Sequence, residues 1–393
     1  MIDIFHRPAL AQEMARQLLQ PKALEQDLSS GLFMSGIRRT GKTTFLRQDL
    51  IPALENAGAV VIYVDLWTDT LASPVVLLLN EVKKAMRELE TPGSGLLERF
   101  KRISAVDLGA AGFKFGIKLD AIGATGGPTL AEAITVLVEK SASHVVIVVD
   151  EVQHSLSSED GLRMMMALKA AREAINLVPG MPGKMFFIGT GSHRSLVGEM
   201  TTRRSSKQAF EGAHNIPYPV LDAAYLAHMR AQFLADKVRL LPAAAALQEG
   251  FRALGSRPES LLRSLRELQS ADVQPADTVG VDKAFLLIAQ VMRNASADIE
   301  FARVEKIGSL AVAIFERIAN AEAEAKGLFS AEAQASYSQT IGRDLRQEEI
   351  QPVLNALVDD NLVMRTGHGQ YIVTDPFVRD TWRERQSIQL GNI

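Results

Sequence analysis

The residues best suited to chemistry lie in one short run. Gly36-Ile37-Arg38-Arg39-Thr40-Gly41-Lys42-Thr43 fits the spacing G-x-x-x-x-G-K-[ST] at every fixed position. The glycines let backbone N–H groups curl around phosphate oxygens. Lys42 then supplies a charge for the β- and γ-phosphates, and Thr43 a hydroxyl for Mg²⁺. Thr44 follows as the last residue of the expected phosphate-binding stretch. With ordinary glycine usage of about 7%, the bare pattern arises by chance in roughly one chain in a hundred of this length. A phosphate loop also needs an acidic group for the metal. Val145-Val146-Ile147-Val148-Val149-Asp150-Glu151 offers one at the end of an apolar run. Asp150 is placed to hold Mg²⁺, and Glu151 to orient and polarise an attacking water. An apolar strand ending in Asp-Glu is common by itself; downstream of a phosphate loop it points to hydrolysis of a nucleoside triphosphate.

Other chemistries find little support. There is no cysteine, which excludes disulfides, thiol catalysis and Cys-ligated metals. The seven histidines, His144, His154 and His193 among them, show no H-E-x-x-H or paired ligand spacing. The serines are too many for a Ser-His-Asp arrangement to be singled out. Gln153 and His154 follow the acidic pair, where they could couple a γ-phosphate to the next helix.

The loop and the acids must sit at the ends of strands. Leu10, Met14, Leu18 and Leu19 share one face of a helix over Pro8–Leu19. Gly31-Leu32-Phe33-Met34-Ser35 reads as a short buried strand entering the loop, with a helix over 42–54 behind it, ended by a turn at 56–58. Ala59-Val60-Val61-Ile62-Tyr63-Val64-Asp65, the run 145–150 and Met185-Phe186-Phe187-Ile188-Gly189 are apolar without alternation, as strands buried on both faces are. Helices over 74–89 and 162–177 separate them. This order predicts an α/β fold with a doubly wound parallel sheet. One segment differs: Phe113, Phe115, Ile117 and Leu119 alternate with Lys114, Gly116 and Lys118, which predicts a hairpin insertion near 101–120 that decorates the surface.

From 221 the strands stop. Helices are expected over 226–238, 243–254 and 259–268, then, past a boundary at 272–281, over 281–292 and 304–325. The tail reads as short helices around 331–336 and 346–358, a hairpin of Leu362-Val363-Met364-Arg365 and Tyr371-Ile372-Val373, and a last helix near Pro376. Helix, helix, hairpin is the winged-helix order. The expected domains are a core over 1–220, a helical lid over 221–280, and a linker with winged helix over 281–393.

With these motifs the chain resembles the AAA+ superfamily of P-loop ATPases, in particular archaeal-type, signal-transduction (STAND-like) and origin-recognition ATPases. The resemblance covers about the first 270 residues and agrees with the winged-helix tail. It implies an AAA+ core with an additional strand in the sheet, ATP and Mg²⁺ as cofactors, and ATP bridging core and lid. Gly189-Thr190-Gly191-Ser192 is similar to the first sensor, where a polar side chain reads the γ-phosphate; Thr190 and Ser192 are both candidates. Gly255-Ser256-Arg257-Pro258 is similar to the second, with Arg257 on the γ-phosphate of its own subunit. Phe5, His6 and Arg7 take the place of the adenine-side linker. The chain departs from the archaeal-type pattern at Ala209-Phe210-Glu211-Gly212-Ala213, with alanine where a Gly-Arg pair is expected. Arg194, Arg203 and Arg204 remain as candidates for a finger acting on a neighbouring subunit.

Charge bears on partners. The chain carries 43 Lys and Arg against 46 Asp and Glu, a net −3, with 47% hydrophobic and 23% charged residues. That excludes a disordered polyanion and a uniformly basic nucleic-acid protein. From 327 onward there are six arginines, no lysine and nine carboxylates. The candidate recognition helix opens Arg346-Gln347-Glu348-Glu349 and closes Asp359-Asp360, which opposes phosphate contact. Arg257, Arg263 and Arg266, with Arg194, Arg203, Arg204 and Lys207, form the basic stretch that could face a nucleotide, a subunit or duplex DNA. No apolar run approaches the ~20 residues of a membrane-spanning helix, and the acidic start Met1-Ile2-Asp3 is unlike a signal peptide. The expectation is a cytoplasmic ATPase, slow or partner-stimulated. It would act as a switch coupling nucleotide state to homo-oligomerisation or a protein partner. The alternative is a DNA-binding adaptor or loader assembling on duplex.

Overall fold

The structure is a computed structural model. It describes residues 3–23, 25, 28, 30–69, 71–103, 112–192, 197, 210, 213–270, 277–367 and 369–391. The chain divides into two compact units. One comprises His6–Gly36 and Lys42–Tyr218; the other comprises Met1–Phe5, Ile37–Gly41 and Pro219–Ile393.

The first unit is built on a five-stranded parallel sheet. Its strands are β1 (Leu32–Ser35), β2 (Val60–Asp65), β3 (Val145–Asp150), β4 (Met185–Gly191) and β5 (His214–Pro217), in the order β2-β3-β4-β1-β5. All six residues of β3 and all seven of β4 are buried, which is why their apolar runs are continuous. Alternate residues feed two layers. Val61, Val146, Val148, Phe186 and Ile188 pack against Leu46, Leu50 and Leu54. Val60, Ile62, Val145, Ile147, Met185 and Phe187 pack against Val82, Ile134, Leu137, Met164 and Leu168 on the opposite face. β4 lies between β1 and β3, with Met34 level with Thr190 and Val149 level with Gly189. The loop-bearing strand and the acid-bearing strand are therefore one strand apart, and the end of β4 sits between them. β5 has no counterpart in the sequence reading. It is short, mostly exposed and ends in Pro217, as an edge strand can.

The helices of this unit are α1 (Pro8–Leu19), α2 (Lys42–Phe45), α3 (Ile51–Asn56), α4 (Pro74–Glu90), α5 (Gly95–Ile103), α6 (Leu130–Ser141) and α7 (Glu159–Asn176). A π-helical turn, Leu46–Leu50, joins α2 to α3 just before Pro52, which has no N–H to continue an i→i−4 ladder. α6, unforeseen in the sequence, starts on a capping box: Thr129 N donates to Glu132 Oε2 at 2.7 Å and Glu132 N to Thr129 Oγ1 at 3.2 Å.

The hairpin expected near 101–120 is not formed. Residues 101–103 end α5, 104–111 lie outside the described residues, and 112–118 contain no strand. Phe113 and Phe115 do face inward, stacked with ring centroids 5.9 Å apart, and Phe113 also meets Phe100. The alternation marks burial against α4 and α5: Phe113 N donates to Leu89 O at 3.0 Å. A Cβ on Gly112 would lie 2.2 Å from Glu90 O, so only glycine lets the chain pass there.

In the second unit, α8 (Ala223–Ala235), α9 (Ala244–Ala253) and α10 (Pro258–Ser270) form a lid core with the start of α11 (Thr278–Ile307). α11 runs unbroken for 30 residues where two separate helices over 281–292 and 304–325 were expected. No glycine or proline interrupts 293–303, and the break comes at Gly308 (φ 135°). Val281, Phe285 and Ala289 of α11 belong to the lid core, whereas Ala297, Phe301 and Val304 belong to the tail core. That tail core is completed by α12 (Ser309–Asn320), α13 (Ala331–Ile341), α14 (Gln347–Asp359), the antiparallel pair β6 (Val363–Gly367) and β7 (Gln370–Val373), and α15 (Pro376–Gly391). The helix, helix, hairpin order is present, and Ala325 bridges to Tyr371 beside the wing.

Candidate phosphate and metal site

β1 ends in a tight loop. Gly36 N donates to Gly191 O at 3.1 Å, so the loop departs from the end of β4 as well as its own strand. A Cβ on Gly36 would lie 3.0 Å from Tyr218 Cβ, and Gly41 has φ 93°. Backbone conformation therefore favours glycine at 41, and at 36 a side chain would crowd Tyr218. Arg39 is left-handed (φ 65°) and, like Arg38, exposed; Ile37 is half-buried, and Thr40 is buried with its hydroxyl donating to Ile37 O at 2.8 Å. Lys42 opens α2 and is buried, and its Nζ donates to Gly36 O at 2.7 Å. Thr43 and Thr44 are exposed beside it.

The acidic end of β3 gathers the rest. Asp150 is 2% exposed and takes four donors. Thr43 Oγ1 (2.8 Å) and Tyr63 OH (3.1 Å) donate to Oδ2; Thr190 Oγ1 and Glu151 N (3.0 Å) donate to Oδ1. Thr43, Asp150 and Thr190 thus meet; the sequence reading set Thr43 and Asp150 at one metal and Thr190 at the γ-phosphate. The donors suit a small hard dication: one hydroxyl and one carboxylate, leaving the other ligand positions for waters and phosphate oxygens. Among the described residues no cluster of three His, Asp or Glu could hold a metal by itself.

Glu151 is half-buried and left-handed (φ 54°, ψ 43°), a conformation that costs an L-residue about 1 kcal/mol or more. The turn lets its carboxylate meet Ser192. Ser192 Oγ donates to Glu151 Oε2 at 2.9 Å, and Gln153 Nε2 donates to the same oxygen.

Two contributors were not foreseen as ligand-holding groups. Tyr63 lies in an apolar strand and reads as core; only the placement of β2 beside β3 brings its hydroxyl to Asp150. Burial, then the charges of Asp150 and Asp65, push its phenol well above the usual range, so it stays a donor. Gln153 follows the acids in sequence, but its hold on Glu151 is a matter of the 3₁₀ turn Val152–Ser157.

Arg257 is engaged elsewhere. Its Nη2 lies 2.5 Å from Asp375 Oδ2, and its guanidinium stands 5.1 Å from the Phe377 ring centroid. Burial pushes the Asp375 carboxyl up, and the charge of Arg257 opposes this. Phe5 packs on Tyr225 and His228 in the lid unit. His6 Nδ1 lies 2.8 Å from Asp49 Oδ1, and the Arg7 guanidinium is 4.8 Å from each of the Phe45 and Tyr218 ring centroids. Arg194, Arg203, Arg204 and Lys207 lie outside the described residues, as do Ala209, Glu211 and Gly212.

No family profile and no curated protein matches the sequence. Solved structures do resemble the fold. A Walker-type ATPase of Pyrococcus abyssi aligns over 97% of this chain and 96% of its own, with a TM-score of 0.55 and 18% identity. The ORC2 protein of Aeropyrum pernix in its ADP form aligns over 98% and 96%, with a TM-score of 0.54 and 13% identity. At these identities the likeness is one of fold. The chain shares with them an α/β P-loop fold: a parallel sheet with one strand between the loop-bearing and acid-bearing strands, followed by helices and a helix, helix, hairpin tail.

Proposed function

We propose that the chain binds Mg²⁺·ATP and hydrolyses it, and that nucleotide state sets its association with copies of itself or with a partner protein. The observation that carries this is the meeting of Thr43, Thr190 and Tyr63 on the Asp150 carboxylate, with Glu151 next in the chain. Lys42 and the loop amides would hold the β- and γ-phosphates. Thr43 and Asp150 would hold Mg²⁺, which neutralises charge on the transferring phosphoryl group. Glu151 would orient the attacking water and accept its proton as the bond from the γ-phosphorus to the bridging oxygen breaks. Thr190 fixes Asp150, Ser192 fixes Glu151, and both report on whether the end of β4 is in place. Arg257 is the proposed reader of the γ-phosphate, released from Asp375 when it does so.

Calorimetry and turnover test this. Lys42→Ala should lose ATP binding altogether. Glu151→Gln should keep ATP affinity within about twofold while hydrolysis falls at least 100-fold, the range for loss of a general base. Unchanged affinity in the first variant would remove the phosphate-loop assignment; normal turnover in the second would remove the role of Glu151.

The second reading, an adaptor or loader on duplex DNA, is favoured by exposed Arg252, Arg263 and Arg266 on the lid. The outward side of α14 opposes it: Glu348, Gln351, Asn355 and Asp359 are exposed there.

A further inference from the structure

We propose that Gln153 is a positioning residue for Glu151, its carboxamide locking the water-activating carboxylate to the end of β4 through the gap left by Gly191. The inference rests on the hydrolytic reading above and specifies how that site is aligned.

Glu151 turns the chain left-handed, and the following 3₁₀ turn folds Gln153 back over it. Gln153 is 4% exposed. Its Nε2 donates to Glu151 Oε2 and lies 3.3 Å from Ser192 Oγ, which itself donates to Glu151 Oε2 at 2.9 Å. Ser192 N approaches the same oxygen at 3.4 Å. One carboxylate oxygen is thus gripped from three directions, and Oε1 is the oxygen proposed for the attacking water. The amide can face only one way, because the reverse would set a carbonyl against a carboxylate.

That orientation buries Gln153 Oε1, to which nothing among the described residues donates. Space for Oε1 comes from Gly191: a Cβ there would lie 2.4 Å from Oε1 and 2.6 Å from Val197 Cγ2. The glycine between Thr190 and Ser192 therefore admits the carboxamide. Thr190 reaches Asp150, Ser192 reaches Glu151, and Gln153 fills the space between these two contacts.

The test uses Gln153→Met, which keeps the bulk and removes the donor, and Gln153→Glu, which sets a second carboxylate beside Glu151. Each is made in the native and the Glu151→Gln backgrounds. Single-turnover hydrolysis is measured together with binding of a non-hydrolysable ATP analogue and of ADP–aluminium fluoride. In the native background Gln153→Met should lower the single-turnover rate about 10- to 100-fold. Analogue affinity should hold within about twofold, while ADP–aluminium fluoride, which mimics the transition state, should weaken in step with the rate. Gln153→Glu should lose more, and it still reports if the methionine variant folds poorly. In the Glu151→Gln background neither change should cost anything further. Equal losses in both backgrounds, a parallel fall in analogue affinity, or an undiminished rate would each overturn the role of Gln153. A native protein that binds ATP and never hydrolyses it would instead remove the hydrolytic reading itself.

Discussion

Asp150 shows what the site asks of single residues. A carboxylate with four donors has little freedom to turn, and Tyr63 supplies the only one of the four from β2. Tyr63→Phe removes that donor and leaves the packing of the ring. Groups that orient a metal ligand are typically worth 10–100-fold in metal affinity. The variant should weaken the Mg²⁺-dependent part of ATP affinity about tenfold, with affinity in excess EDTA unchanged. Titrations with and without Mg²⁺ check this, and equal affinities in native and variant protein would show that the phenol is a packing group only. Thr43, Asp150 and Glu151 were legible in sequence because they stand in a phosphate-loop spacing and at the end of an apolar strand, and Thr190 and Ser192 because their run resembles a sensor. Tyr63 was hidden because the strand order that puts it beside Asp150 is not written in its own neighbourhood.

At the scale of elements, continuous apolar runs marked β2, β3 and β4 because a strand buried on both faces has no polar side to show. The same logic could not find β5, whose backbone pairs with β1 while its side chains stay largely exposed. The alternation of Phe113 and Phe115 identified the buried side of the segment correctly and its backbone wrongly, since no strand forms and helices cover it. The junction of α10 with α15 carries a prediction. Asp375 accepts from Phe377 N at 3.0 Å, capping α15, and pairs with Arg257 at the start of α10. Asp375→Asn keeps an oxygen for that cap and removes the charge that holds Arg257. If Arg257 reads the γ-phosphate, the variant should favour ATP over ADP about fivefold more than the native protein, the low end of measured coupling energies. Competition binding of the two nucleotides measures it, and the gain should vanish when Arg257→Ala is added. An unchanged ATP to ADP ratio would separate the ion pair from nucleotide sensing.

For the whole molecule the question is whether duplex DNA is a partner. Winged helices offer a recognition helix, and α14 stands in that place with its outward side bearing Glu348, Gln351, Asn355 and Asp359. Phosphates dominate affinity for duplex, so a helix that presents carboxylates must repel what it would need to bind. Four of the six arginines of the tail are also committed: Arg343 to Glu349, Arg379 to Asp380, Arg383 to Ala319 O and Ala321 O, and Arg385 to Asp298. Exposed cations remain on the lid, where Arg252, Arg263 and Arg266 could make a few phosphate contacts. Steady-state ATP turnover should therefore change less than twofold on adding duplex DNA at low ionic strength, where screening is weakest. Stimulation of tenfold or more that falls steeply with salt would reverse this choice. Loss of that stimulation in Arg263→Ala and Arg266→Ala would place the contact on the lid, and the protein would be an adaptor assembling on duplex. A rate indifferent to DNA leaves the acidic winged helix facing a protein, and the fraction of assembled protein with and without ATP becomes the quantity to follow.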